Sequence, residues 1–194
     1  MRGRPAAGEP SDTRTRLVAA AAGEFNRAGY FGTDSNRIAR AAGYAPGTFY
    51  KHFADKREAF LAVWEDWVER EWALVRRAMA GGASGDPPAR AIVEFTLRHH
   101  VRWKGLRASM HALAAVDPVV RRFHRIQRRR QLETLADLRA RSGAQPRSPE
   151  EDAVLLFTLE RACDAVALGE VRDLGLSRGA VVEALAARVS DQLR

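Results

Sequence analysis

Apolar residues recur three and four positions apart along nearly the whole chain. This spacing matches the 3.6-residue turn of an α-helix, so each apolar series lines one face of a helix. In the first such segment Leu17, Ala21 and Phe25 share a face, and Gly29 follows as a terminating residue. No alternating run of apolar and polar residues bounded by hairpin turns is present. The pattern therefore predicts an all-α protein.

Local start signals divide the chain into about nine helices. Asp55, three residues before Glu58, resembles the cap of a capping box and opens a long helix to about residue 80. Asp117-Pro118 opens a helix to about residue 141, and Ser148-Pro149-Glu150-Glu151 opens the next. The stretch 81–88, rich in Gly and Pro, is the clearest internal loop.

The remaining helix boundaries follow from glycine, proline and charged residues. Residues 1–12 combine Gly, Pro and charge, which predicts a mobile arm before a first helix over residues 13–28. Gly105 is expected to separate the helix that begins near residue 89 from a shorter one. The last helix is expected to run from Ser177 to near the C-terminus.

Composition narrows the class of protein. The 194 residues are 46% hydrophobic and can bury a core without disulfides or metals. No apolar run approaches the ~18 residues of a membrane span, and no signal-peptide pattern is present, so we expect a soluble, cytoplasmic protein. The net charge of +8 suggests a polyanionic partner, but 29 of the 32 basic residues are Arg, a bias that coding composition can also produce. The positions of the basic residues in the chain must therefore decide whether they indicate a polyanionic partner.

The most informative segment is residues 29–60. Thr33 or Ser35 is expected to cap a short helix, Gly43 begins a tight turn, and Pro46 starts a second, very short helix at its first helical position. A short helix, a three-residue turn and a second short helix form a helix–turn–helix. The second helix would place its first turn in the major groove of DNA.

The exposed positions of this second helix are small or carry hydroxyl groups, which lets backbone and bases approach closely. Thr48 and Lys51 could reach base edges, Tyr50 and His52 could bind phosphate oxygens, and Lys56 lies in the first turn of the next helix, which favours a phosphate. The full set of expected DNA contacts is Arg4, Thr33, Ser35, Arg37, Tyr44, Ala45, Pro46, Gly47, Thr48, Tyr50, Lys51, His52 and Lys56.

Some residues of the segment 29–60 can also be explained by packing within the protein. Ile38, Phe49 and Phe53 are interpreted as core, and Tyr44 is either core or a phosphate contact. His52 is either a phosphate contact or a neutral surface residue. The arm Arg2-Gly3-Arg4-Pro5 either enters a narrow minor groove or is a disordered tail.

The segment 29–60 resembles the DNA-binding signature of the TetR (tetracycline repressor) family of bacterial transcription regulators. The matching residues are Gly29-Tyr30, Thr33, Ile38-Ala39, Ala42-Gly43, Gly47-Thr48-Phe49-Tyr50, His52-Phe53 and Lys56. Ala45 stands where the family often has a Ser cap, and Tyr44 where a small aliphatic residue is commoner. With the first helix the resemblance covers about 45 residues; beyond them only length and helical pattern agree. It implies a homodimer with a ligand pocket in the C-terminal domain.

Residues 61–194 carry no recognisable catalytic motif, so we expect no enzyme activity and no cofactor. Aromatic residues at helical spacing suit the pocket that the resemblance implies, and an apolar or aromatic ligand. They could equally be core. The candidate ligand-binding residues are Trp64, Trp67, Phe95, His99, Trp103, Met110, Phe123 and Phe157.

A metal site is not expected. His99, His100 and His111 with Glu94 offer ligand types, but adjacent residues on a helix diverge by about 100°, so His99 and His100 cannot share a ligand face. His99 is interpreted as a core or pocket residue. Cys163 is interpreted as a small buried hydrophobe, and as the only cysteine it excludes an internal disulfide.

Two late segments, 152–168 and 180–193, are apolar almost all round. A helix that is apolar on every face must be buried on every face, which two chains achieve by forming a four-helix interface. A central helix of a monomer core is the alternative. The candidate dimer-interface residues are Val154, Phe157, Arg161, Ala165, Val181, Leu185 and Val189.

Taken together, the sequence predicts three regions: a basic arm 1–12, a helix–turn–helix domain 13–57, and a helical ligand-binding and dimerisation domain 58–194. The expected function is a ligand-responsive regulator, expected to be a repressor, that binds a palindromic operator as a homodimer. The long helix from Asp55 is expected to connect the two domains. The alternative is a helical scaffold that does not read DNA. The basic stretch 121–141 is either a solvated face or a surface for an anionic partner.

Overall fold

The computed structural model describes residues 10–80 and 89–193. Within these ranges the chain forms ten helices and no strand, which confirms the predicted all-α class. Nine of the helices are those expected from the sequence, and the additional α9 is a four-residue helix after Gly169. The helices are α1 Pro10–Ala28, α2 Ser35–Ala41, α3 Pro46–Phe49, α4 Lys56–Ala80, α5 Ala89–Arg102, α6 Lys104–Val116, α7 Pro118–Ser142, α8 Pro149–Leu168, α9 Glu170–Asp173 and α10 Arg178–Leu193.

Two predicted boundaries require correction. Helix α1 begins at Pro10, so the last three residues of the predicted arm are helical; proline is well suited to a first helical turn, where its missing N–H costs nothing. Helix α5 ends at Arg102 and α6 begins at Lys104, so the break falls at Trp103 and Gly105 lies inside α6. The rest of the arm and the predicted loop 81–88 lie outside the described residues.

The polar start signals act as predicted. The Asp55 carboxylate accepts a hydrogen bond from the Glu58 backbone N–H at 2.7 Å, and Asp117 accepts one from Val119 at 2.8 Å. Ser148 and Glu151 form a complete capping box at the start of α8. At α2 the cap is Asp34, and neither Thr33 nor Ser35, because the Asp34 carboxylate accepts from the Arg37 N–H.

The described chain folds as two compact units. The first comprises the residues up to Val68 together with Gly105–Phe123, and the second comprises Glu69–Lys104 together with the residues from His124 onward. The long helices α4 and α7 each contribute residues to both units. The domain boundary predicted at residue 57 separates the expected DNA-binding segment from the rest of the chain and does not mark the edge of a compact unit. It remains a prediction.

The core of the first unit is aromatic. Phe25 and Phe60 are fully buried and meet edge to face with ring centroids 5.1 Å apart, and Tyr30 packs edge to face on Phe60 at 5.4 Å. Ile38, Phe49 and Phe53 are buried as predicted. In the second unit α5 packs against α8 and α10, and α8 packs against α10.

The described ranges contain neither a membrane-spanning helix nor a cluster of metal-ligating residues. No helix there is long and apolar enough to cross a membrane. No three His, Cys, Asp or Glu side chains in the same ranges are grouped so that they could hold a metal ion. Cys163 is buried.

Gly105 marks the closest approach between α6 and α1. A Cβ atom at this position would overlap the backbone carbonyl oxygen of Asn26. The Asn26 side-chain oxygen accepts hydrogen bonds from the N–H groups of Gly105 at 3.0 Å and Leu106 at 3.2 Å, which satisfies donors at the start of α6. The glycine therefore lets one side chain join two helices.

We predict that Gly105→Ala destabilises the protein by about 2 kcal/mol or more, because a backbone atom cannot move aside as a flexible side chain can. Gly23→Ala is the matched control: it lies in α1 with no atom near the added Cβ, and should stabilise by about 0.5–1 kcal/mol. Urea denaturation measures both. Equal effects of the two substitutions would contradict the close approach.

Candidate nucleic-acid interface and ligand cavity

The helix–turn–helix is built by two short helices around a tight turn. Ile38 and Ala39 bury one face of α2, and the Tyr44 N–H closes the turn by donating to the Ala39 carbonyl at 2.9 Å. Gly43 adopts φ +82, a left-handed conformation that glycine reaches without steric cost. Phe49 anchors the four-residue α3 in the core.

The residues of α3 predicted to meet DNA lie on its outer side. Ala45, Pro46, Gly47 and Lys51 are exposed, and Thr48 is half-buried. Ala45 gives α3 no side-chain cap, in agreement with its departure from the family pattern. The set predicted from the sequence thus forms one solvent-facing surface of small side chains with a lysine at its end.

Tyr50 and Ser35 are brought together across the two helices. Their hydroxyl groups are 2.7 Å apart, and the Tyr50 ring is 58% exposed. The ring packs edge to face against the buried Phe49 at 5.4 Å, which fixes its direction. Two separately predicted DNA contacts therefore form one hydrogen-bonded pair on the surface.

Thr33 and Arg37 belong to a network around Glu24 in α1. Thr33 is only 4% exposed and donates its hydroxyl proton to Glu24 Oε2 at 3.3 Å, so its side chain does not face solvent as predicted. Arg37 Nε lies 3.5 Å from the same oxygen. The pKa of Glu24 is lowered, chiefly by the hydrogen bond from Arg27, with burial opposing and Thr33 and Arg37 adding to the effect. No local pattern in the sequence indicates this network, because it joins residues nine and thirteen positions apart.

Lys56 faces inward in the structure. Its ammonium group donates to the carbonyl oxygens of Tyr30 at 2.8 Å and Thr33 at 2.9 Å, and lies 4.2 Å from the Tyr30 ring centroid. Burial lowers its pKa below the usual lysine value. These two hydrogen bonds join the connection between α1 and α2 to the start of α4.

The remaining predicted contacts separate into three cases. Tyr44 is half-buried, and its hydroxyl oxygen is buried without a hydrogen-bond partner among the described residues, so this oxygen does not reach the surface as a phosphate contact would. His52 is half-buried, and Arg4 lies outside the described residues. Arg40 was not among the predicted residues. It is exposed one turn beyond Arg37 in α2, and the three-residue spacing of these two arginines indicates that they share a side of the helix.

The aromatic residues predicted to bind a ligand are divided between the two units. Trp64 and Trp67 stack at 4.9 Å and are buried in the first unit with Met110, and Phe123 belongs to the same unit. In the second unit Phe95, His99 and Trp103 are half-buried on one side of α5, and Phe157 is 53% exposed. None of the eight lines the cavity described next.

A cavity of about 50 Å³, partly open to solvent, lies within the second unit. Helices α4, α5, α7 and α8 line it, with walls that are apolar apart from two glutamates and a threonine. Ile92 and Thr96, which line this cavity, lie on the neighbouring stripe of α5, a fraction of a turn from Phe95 and His99. The lining residues are Glu71, Trp72, Val75, Ile92, Thr96, Leu135, Leu155, Leu156, Leu159 and Glu160.

The predicted dimer residues divide between surface and core. On α8, Val154, Phe157 and Arg161 are exposed and Ala165 is half-buried, so these residues form an outward stripe. On α10, Leu185 and Val189 are buried within their own unit and Val181 is half-buried, which corrects their assignment to an interface. The exposed residues of α10 include the small Ala180, Ala184 and Ala187 beside the charged Glu183 and Arg188.

Comparison with known sequences concerns the N-terminal part of the chain. Residues 17–63 match the family described as bacterial regulatory proteins, tetR family. The HTH-type transcriptional regulator AcrR of Shigella flexneri is 37% identical over 57 residues, which are 29% of this chain and 26% of that protein. The match therefore spans about a quarter of the length of this curated relative.

Solved structures share the fold over almost the whole chain. A Rhodococcus sp. protein described as a TetR-family transcriptional regulator has a TM-score of 0.78 at 18% identity, covering 95% of this chain and 100% of that one. The fatty acid degradation regulator FadR of Bacillus halodurans has a TM-score of 0.70 at 17% identity, covering 97% and 96%. At these identities the likeness concerns the fold alone.

We predict that Lys56→Met lowers the free energy of unfolding by about 2 kcal/mol, because two carbonyl groups lose a charged donor. Lys51→Met is the matched control, since Lys51 is exposed, and it should change stability by no more than about 0.5 kcal/mol. Chemical denaturation of the two variants measures the difference. If both leave stability unchanged, the inward role assigned to Lys56 is wrong.

Proposed function

Since the chain belongs to the TetR family of bacterial regulatory proteins, we propose that it regulates transcription by binding an operator in duplex DNA through α2 and α3. The observation that carries the proposal is the outward face of α3. Phe49 and Phe53 are buried, while Ala45, Gly47 and Lys51 point to solvent. A one-turn helix fixed from one side by aromatic residues has its whole opposite side free for a groove.

The roles follow from the size and chemistry of the exposed side chains. Ala45, Pro46 and Gly47 are small enough for the backbone of α3 to approach the bases. Thr48 and Lys51 contact base edges in the major groove, where each base pair presents its own donors and acceptors. Tyr50, held by Ser35, donates to a phosphate oxygen and sets the register. These residues lie in the predicted DNA-binding domain 13–57.

The second unit supplies the contact between two copies of the chain. Val154, Phe157 and Leu168 on α8 are more than half exposed, and they recur on one side of that helix with Arg161 and Ala165. The small outward residues of α10 allow close helix packing beside this stripe. A twofold arrangement of α8 and α10 would bury both, and it would present two copies of α3 to a palindromic operator.

The cavity of the second unit is the proposed effector site, and the chain is proposed to act as a repressor. Its mostly apolar walls suit a small, largely apolar molecule. The effector must bind the DNA-free state more tightly than the DNA-bound state, because a ligand of equal affinity for both shifts nothing. The coupling free energy is then the difference between the binding free energies of the effector for these two states.

We predict that Lys51→Ala weakens binding to a selected operator duplex by about 1–3 kcal/mol, with a smaller loss on a random duplex, because a base contact is removed. Lys104→Ala, another exposed lysine, is the control and should leave both affinities unchanged. Fluorescence anisotropy over a salt series measures them. An equal loss of affinity for both duplexes would show that Lys51 contacts a phosphate instead of a base. No loss of affinity for either duplex would show that Lys51 does not contact DNA.

We predict that Val154→Glu weakens self-association at least a hundredfold, because a symmetric interface would bury two unpaired carboxylates. Val101→Glu is the matched control, since Val101 is an exposed valine on α5, and it should leave self-association unchanged. Sedimentation equilibrium measures the association. A Val154→Glu protein that remains as dimeric as the parent would show that α8 does not form the interface.

A further inference from the structure

The arginines of α7 divide into two groups by what their side chains contact. Arg121 donates to the backbone carbonyl oxygens of Ala114 at 2.8 Å and Ala115 at 2.6 Å, so it caps the end of α6. Arg128 donates from both terminal nitrogens to the carboxylate of Glu160. Internal contacts therefore explain a part of the basic composition of this helix.

Three further arginines of α7 form no contact of this kind. Arg122, Arg125 and Arg129 are exposed, and none of them has a hydrogen bond or an ion pair with another residue of the ranges 10–80 and 89–193. An exposed guanidinium without a partner keeps its five N–H donors for another molecule. We call these three residues the arginine stripe.

The arginine stripe lies on one side of a single helix. Its members are spaced three and four residues apart, which is close to one helical turn, and α7 runs without interruption from Pro118 to Ser142. The mutual placement of the three side chains therefore follows from helix geometry alone. The stripe extends about 10 Å along the helix axis, at about 1.5 Å per residue.

No acidic residue on this part of the helix offsets the charge of the stripe. Residues 118–132 include no Asp or Glu. Glu133 lies four residues after Arg129, a spacing at which an ion pair can form, but the two side chains form none. Like charges on one side of a helix repel one another and destabilise it slightly. The stripe thus adds no contact to the fold and is complementary in charge to an anionic partner.

We propose that the arginine stripe is a second DNA-binding surface, which holds the phosphates of a duplex without reading its bases. A guanidinium presents its donors in a planar fork that matches two oxygens of a phosphate. One strand of a duplex carries a phosphate about every 3.4 Å along its axis, so the stripe is long enough to lie opposite about three of them. The choice of DNA as the occupant rests on the proposed function, since a chain that binds an operator meets duplex DNA at high local concentration.

An anionic membrane surface is less complementary to this part of α7. Helices that lie on membranes carry a broad apolar face beside their basic residues. The exposed apolar residues between positions 118 and 132 are Val119 and Ile126, which are 48% and 44% exposed. Two partly covered aliphatic side chains offer little surface for insertion among lipids, whereas phosphate binding by arginine needs none.

The test is a full chain that carries Arg122→Gln, Arg125→Gln and Arg129→Gln together. Glutamine keeps a polar side chain at each position and removes the charge. The ligand is a random-sequence duplex of about 40 base pairs, or roughly four helical turns. Fluorescence anisotropy over a salt series gives the slope of log K against log salt concentration. Each lost phosphate contact makes this slope shallower by about 0.9, so we expect a change of about 2–3 per bound chain.

The matched control removes three positive charges elsewhere. Arg77→Gln, Arg98→Gln and Arg172→Gln replace exposed arginines on α4, α5 and α9, so both variants lose the same amount from the net charge of +8. The control should keep the slope of the parent. Equal changes in both variants would assign the effect to net charge and overturn the proposal, and so would an unchanged slope in the stripe variant. If the triple stripe variant does not fold, Arg125→Gln alone decides, with an expected change of about 0.9.

Vesicles of phosphatidylglycerol test the alternative occupant. The parent and the stripe variant should bind these vesicles equally. Vesicle binding by the parent that the stripe variant loses, together with an unchanged salt slope on DNA, would assign the stripe to a membrane surface and overturn the proposal.

Operator selectivity separates this proposal from the proposed function. A contact with phosphates contributes equally to every duplex, so the ratio of operator to random-duplex affinity should be the same in the stripe variant and the parent. If an operator is selected but the stripe variant keeps the salt slope of the parent, the second surface fails while the proposed function stands. If no operator is found but the slope changes as expected, the proposed function fails while the second surface stands.

Discussion

The burial of Phe49 is the constraint on which the proposed recognition surface depends. Helix α3 has four residues, and a helix of one turn does not form on its own because nucleation costs more than one hydrogen bond returns. Phe49 is fully buried and meets Phe53 at 5.4 Å, so tertiary packing fixes the backbone of α3. The residues on the opposite side are thereby presented in one orientation. The same packing aims Tyr50, whose ring lies against Phe49.

Neighbouring contacts make this surface rigid. The bonds from Lys56 to the carbonyls of Tyr30 and Thr33 join the start of α4 to the α1–α2 connection. Glu24 joins α1 to Thr33 and Arg37 at the start of α2. Each contact replaces mobility at the base of the helix–turn–helix with a hydrogen bond, which lowers the entropy lost when DNA binds.

The second unit combines an apolar core with charged groups that are buried in pairs. Arg139 contacts Asp152, Arg128 contacts Glu160, and His100 lies between Glu71 and Asp164. Removing one partner of such a pair leaves an uncompensated buried charge, so these pairs hold α4, α5, α7 and α8 in one register. The cavity lies among these helices.

Local signals in the sequence predicted the fold well, and long-range contacts explain what they missed. The caps at Asp55, Asp117 and Ser148 could be found because they involve residues two or three positions apart. The inward roles of Thr33 and Lys56 could not, since their partners lie nine to twenty-six residues away.

The cavity was missed for a different reason. The size and aromatic character of a residue do not show which way its side chain points, because the phase of each helix decides which residues face inward. On α5 the cavity meets Ile92 and Thr96, and the His100 stripe continues that side, while Phe95 and His99 lie beside it. The same error of phase placed Leu185 and Val189 of α10 in an interface when they belong to the core of their own unit.

The central claim is that two copies of α3 read a twofold-symmetric duplex. Selection of binding sites from a pool of random DNA, followed by sequencing, tests it most directly. If two copies of α3 related by a twofold axis bind DNA, we expect enrichment of a palindrome whose half-sites lie about one helical turn or more apart. Enrichment of no sequence at all, or of a single site without a symmetric partner, would contradict it.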